Sequence, residues 1–176
     1  MLEIEEEKLI AVALYVLDKL KPNERGMHKV LKILWFADLK HIEKYGRPIT
    51  YDYYAKMPDG PVLSLLFDIF KALRAKDGKL YDKYSQYICV HDYYMLTPLK
   101  KADADCLSDS DVEAMDESIE ENRNFSKTDL SKKSHGIAWE HSCQDISLEN
   151  ILDELGIKGK KRDEILESKM FTGAFA

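Results

Sequence analysis

Long apolar runs are missing from this sequence. No stretch approaches the roughly 18–20 apolar residues that a membrane span needs, so no membrane partner is expected. An excess of basic residues is missing too. Lys and Arg number 26 against 32 Asp and Glu, for a net charge of −6. A chain built to grip phosphate backbones has the opposite balance, which makes nucleic acid an unexpected partner and a basic protein surface a fitting one. Cysteine is scarce. Cys89, Cys106 and Cys143 are odd in number, widely spaced and without a CxxC, so reduced thiols are expected instead of disulfides or a zinc site. No GxxxxGK[ST], GxGxxG or HExxH occurs, so nucleotide and zincin chemistry lack support and no cofactor is expected. The first ten residues, MLEIEEEKLI, are acidic where a signal peptide would be basic, which points to the cytoplasm.

What remains is ordinary globular material. The 176 residues, 45% of them hydrophobic, suit one domain with a small C-terminal appendage. Residues 3–20 carry Leu9, Val12, Ala13, Val16 and Leu20 at three- and four-residue steps, predicting an amphipathic helix. A second helix is expected from Gly26 to Tyr45, with Gly46 as its left-handed cap. Its buried stripe reads Leu31, Leu34, Trp35, Ile42 and Tyr45. Asp38 falls on that stripe, and His41, three residues on, is close enough to touch it. A carboxylate placed there must be paired or hydrogen-bonded, because bare burial costs several kcal/mol.

The connector 49–57, rich in tyrosine, suits an extended segment or a short helix. Asp59-Gly60-Pro61 then reads as the start of a third helix, with Pro61 at its first position and Gly78 closing it. Tyr87–Val90 and Tyr93–Thr97 form β-prone runs around a His91-Asp92 turn, with 80–84 as a candidate third strand. Ser108 (with Ser110 and Glu113 as an overlapping alternative), Ser126 and Ser147 each look like helix caps. The fold class is therefore α+β and predominantly α. A helical core carries a small antiparallel hairpin or three-stranded sheet.

Chemistry is hard to find. His135 and His141 lie six apart across Gly136, without a useful third ligand, so no metal is expected. Asp38 and His41 could do acid–base work, but no nucleophile is placed beside them, and a buried structural pair is the simpler reading. Three helices followed by a hairpin is also the order of a winged-helix DNA binder or autoregulator. The candidate reading helix, 61–76, holds its basic residues only at its far end, which argues against that role. Nine of the ten tyrosines lie between Tyr45 and Tyr94. Those left exposed would suit a protein interface, with Tyr51, Tyr53, Tyr54 and Tyr93 as candidates. The apolar C-terminus, with Phe171 and Phe175, could dock on the body, contact a partner or serve as a degradation signal.

One stretch is more specific. KILWFADLKHIEKYGRPITYDYYAKMPDGPV resembles the SocA-like, or Panacea, antitoxin domain through Ala37, Asp38, His41, Tyr45, Gly46, Arg47, Pro48, Ile49, Gly60, Pro61 and Val62. Leu96-Thr97-Pro98, Leu130-Ser131, His135 and Ala138-Trp139 fit the later part of the same pattern. The resemblance places such a domain at residues 1–144, with 145–176 as a helical extension. It implies a non-enzymatic antitoxin of a toxin–antitoxin pair, often carried on prophages or mobile elements. Neutralisation would be by direct binding of a cognate protein toxin, in some cases with delivery to a protease. On this reading the shared residues are structural, and specificity lies in the exposed tyrosines, the hairpin and the tail.

Overall fold

The computed structural model describes residues 3–168, so Phe171 and Phe175 lie outside the described residues. α1 (Glu3–Lys19) and α2 (Met27–Tyr45) come first, followed by a hairpin of β1 (Tyr54–Met57) and β2 (Gly60–Leu63). Next are α3 (Ser64–Ala75), α4 (Gly78–Tyr84) and a second hairpin of β3 (Ile88–His91) and β4 (Met95–Pro98). Among the described residues five α-helices follow: α5 (Asp109–Asn122), α6 (Lys127–Ser134), α7 (Ile137–Glu140), α8 (Leu148–Glu154) and α9 (Gly159–Glu167). The architecture is the expected one, predominantly α with small antiparallel β elements.

α2 is the axis of the core. It touches α1, α3, α5, α6 and β2, and it is buried on nearly every side from Val30 to Leu39. A helix apolar all round belongs at the centre of a bundle. Leu9, Val12, Ala13, Val16 and Leu20 of α1 are all buried, as their spacing predicts. α5 packs along α2 through Met115 and Ile119, and the Ser118 hydroxyl donates to the Ile33 carbonyl at 2.7 Å. Ser108, Ser126 and Ser147 cap α5, α6 and α8 as expected.

Four expectations need correction. Gly60 and Pro61 do not start a helix; they belong to β2, and α3 begins at Ser64. With Met57 paired to Gly60, Pro58 and Asp59 form a tight turn, and Pro-Asp-Gly suits its second to fourth positions. Residues 80–84 are helix α4, not a third strand. Leu80 and Tyr84, four apart, share one helical face, and Tyr84 is buried. The second hairpin turns over Asp92, Tyr93 and Tyr94, with His91 paired to Met95. Asp92 (φ 46°) and Tyr93 (φ 70°) are left-handed and cannot continue a strand. Finally, Tyr45 is not part of the buried stripe. It sits at the helix end, 49% exposed, with its hydroxyl donating to Glu113. The winged-helix order is not found either, since a hairpin separates α2 from α3 and α4 separates α3 from the second hairpin.

The C-terminal part is tied to the first hairpin. The Ile146 N–H donates to the Tyr54 carbonyl at 2.8 Å, and the Lys56 N–H donates to the Gln144 carbonyl at 2.7 Å. α9 sits against the end of α2, where Lys161 Nζ donates to the Glu43 carbonyl. A Cβ on Gly46 would lie 3.2 Å from Ile165, so this glycine serves both the left-handed cap (φ 73°) and a close approach.

Candidate partner-binding site

The motif residues divide into two internal locks, which leave an exposed groove between the hairpin tips. The first lock is built on Asp38. After Gly46 the chain folds back along α2. The Ile49 and Thr50 N–H groups donate to the Asp38 carboxylate at 2.7 and 3.1 Å, as do the Thr50 hydroxyl and, at 2.7 Å, the Tyr54 hydroxyl. Burial pushes this carboxyl above its ordinary range, and the four hydrogen bonds pull it back.

His41 has other partners. Nδ1 lies 2.7 Å from the Arg47 carbonyl, so it carries the proton, and Nε2 accepts from the Ser110 hydroxyl at 3.1 Å. Burial lowers the His41 pKa and keeps the ring neutral. The expected Asp38–His41 pair is thus replaced by two separate anchors. Asp111, buried on α5, lies 3.3 Å from the unprotonated Nε2 and takes its ion partners elsewhere, Lys8 at 2.7 Å and Arg47 at 3.4 Å. Burial opposes the charge on Asp111, but the bonds from Lys8 and Ser108 outweigh it and hold the carboxyl below its usual value.

The second lock joins the first hairpin to α2 and to the segment from Ser134 to Trp139. Gly60 is left-handed (φ 96°), and a Cβ on it would lie 2.1 Å from Ser134 Oγ and 2.8 Å from Lys32 Nζ. Lys32 is fully buried and donates to the Pro61 carbonyl at 2.5 Å. Burial lowers its pKa to about 7. His135 stacks on Trp139 with centroids 3.9 Å apart, and the Trp139 indole N–H donates to the Met57 carbonyl at 2.9 Å. Pro48 is buried, and its carbonyl accepts from Arg47 at 3.4 Å.

Lys32 and Asp111 went unrecognised in the sequence, and so did Asp52. Asp52 is buried and accepts from the Leu65 and Leu66 N–H groups at 3.0 Å, capping α3 from the preceding loop. Burial raises its pKa to about 6. Asp52 stands before β1, and the whole first hairpin separates it from the helix it caps, so no local spacing signalled the role.

Of the candidate tyrosines, Tyr54 is in the core. Its ring meets Trp35 edge-on at 4.9 Å, and its hydroxyl holds Asp38, so it cannot reach a partner. Tyr51 and Tyr53 are half-buried. Tyr93 is 72% exposed, and Tyr94 beside it is 58% exposed. These two form one wall of a groove of about 680 Å³. The Pro58-Asp59 turn also lines it, and the apolar side chains of Met27, Leu31, Val62 and Phe67 supply its floor. The Met27 N–H donates to the Tyr94 carbonyl at 2.9 Å, which fixes the second tip to the start of α2.

Among the described residues no cluster of His, Cys, Asp and Glu could hold a metal ion, and no helix is long and apolar enough to cross a membrane. No curated protein and no solved structure matches the chain. The family described as antitoxin SocA-like, Panacea domain matches residues 30–140, which span both locks and the groove floor from Leu31 to Phe67. This protein belongs to the SocA-like Panacea antitoxin family.

Proposed function

We propose that this chain neutralises a cognate protein toxin by stoichiometric binding in the cytoplasm, without catalysis. Family membership carries the reading. The internal use of the motif side chains supports it. Asp38 and His41, the pair that could have served acid–base chemistry, are both fully buried and bonded to the protein's own loop and to α5. They hold the scaffold, and contact falls to exposed surface.

Co-expression with the product of the adjacent gene tests this. The expected result is restored growth and a complex of fixed ratio on size exclusion. No rescue and no complex would overturn the proposal. Toxin half-life separates two modes of neutralisation. Occlusion leaves the toxin persisting in the complex, whereas delivery to a protease shortens its life.

A further inference from the structure

We propose that the groove between the two hairpin tips seats an apolar segment of the partner protein that is flanked by carboxylates. This rests on the antitoxin reading and specifies what the toxin must present.

The floor sets the first requirement. Met27, Leu31, Val62 and Phe67 offer an apolar surface, and Tyr93 and Tyr94 stand over it largely exposed. An aromatic-walled apolar pocket of this kind is where interface anchors insert. The tip is held outward at a conformational cost, because Asp92 and Tyr93 are consecutive non-glycine residues in left-handed geometry.

The rim sets the second requirement. Its two acids are already matched, Glu24 by Arg123 at 3.2 Å and Asp59 by Lys127 at 2.7 Å. Two of its cations are not matched by any carboxylate among the described residues. Arg74 lies 4.5 Å over the Tyr93 ring, and Lys29 donates only to the Arg123 carbonyl at 2.6 Å. α2 begins in the groove with neither an acidic first turn nor a side-chain cap, so its dipole adds to the same positive field. In a chain of net charge −6 this is a local reversal of sign. Complementarity therefore calls for acidic flanks on the occupant, although the whole-chain charge suits a basic surface.

A displayed library of random twelve-residue peptides, selected on the full purified chain, provides the test. Enrichment of one or two large apolar residues beside Asp or Glu is expected. Affinity should fall at least tenfold in Arg74→Glu and in Tyr93→Gly, with unchanged far-UV circular dichroism and no loss in Tm. The control Lys160→Glu, exposed on α9 and outside the groove, should bind as the parent does. Enrichment of basic peptides, or binding that survives both groove variants, would overturn the inference. Concentration-dependent dimers broken by Arg74→Glu would overturn it as well, by showing a second copy of this chain in the groove. If the adjacent gene's product binds Arg74→Glu and Tyr93→Gly as tightly as the parent, this inference falls and the antitoxin reading stands.

Discussion

Asp38 and Lys32 lie six residues apart on α2, and both are fully buried. Asp38 receives four hydrogen bonds from one loop and the strand after it, while Lys32 makes a single bond to Pro61. Burial pushes both toward their neutral forms. The difference is in what each secures. Asp38 organises backbone that is close in sequence and would otherwise have unpaired N–H groups. Lys32 sits where β2 meets α6, in a space that remains open only because residue 60 lacks a side chain. One buried charge is a completed network; the other is tolerated at a crossing point.

The contrast can be broken at Asp38 first. Asp38→Ala strands two buried N–H groups and two hydroxyls and should cost about 3–5 kcal/mol, measured by urea unfolding. A protein that keeps its stability would remove Asp38 from its structural role. Gly60→Ala comes next. Left-handed geometry and the collision with Ser134 and Lys32 should cost about 2–4 kcal/mol. Adding Ser134→Gly should recover part of that loss.

Lys32→Met sharpens the comparison through pH. Folded Lys32 titrates at about 7 and an unfolded lysine at roughly 10.5, so between these values only the unfolded chain keeps the proton. Raising pH across that window therefore favours the folded state, and below it the charge penalty is fully present. From pH 7 to 9 the parent should gain about 2 kcal/mol relative to Lys32→Met. A parallel pair of stability curves would contradict the buried, depressed amine. At the small end is Tyr45→Phe. The lost bond to Glu113 is solvent-exposed, so Tm should not move measurably.

These sites also show what the sequence could express. α2 was legible from Gly26 to Gly46 because apolar spacing and a glycine cap are local signals, and the three serine caps were legible for the same reason. Pro-Asp-Gly was ambiguous, since proline suits both a helix start and a turn, and only pairing with β1 decides between them. Lys32 was invisible because a lysine in a helix is usually solvated. The clue was its setting, Val30-Leu31-Lys32-Ile33-Leu34, where apolar residues flank it on both sides within the helix. Asp38 and His41 were correctly placed inside, but helical spacing could not reveal that a loop and α5 had claimed them separately. The groove combines α2, α3, β1, β2 and the second turn, and no local pattern encodes such a meeting.

The bonds between Tyr54 and Ile146 and between Lys56 and Gln144 bear on synthesis. A ribosome adding roughly 5–20 residues per second makes Ile146 on the order of 5–20 s after Tyr54. During that interval the first hairpin has only two strands, which are marginal alone, and the outer edge of β1 is unpaired. Ser134 and Trp139, which brace its tip, are also still to come. One side of the groove is therefore completed only when most of the chain has been made, and a chain that stops short of Ser134 lacks the bracing of this hairpin.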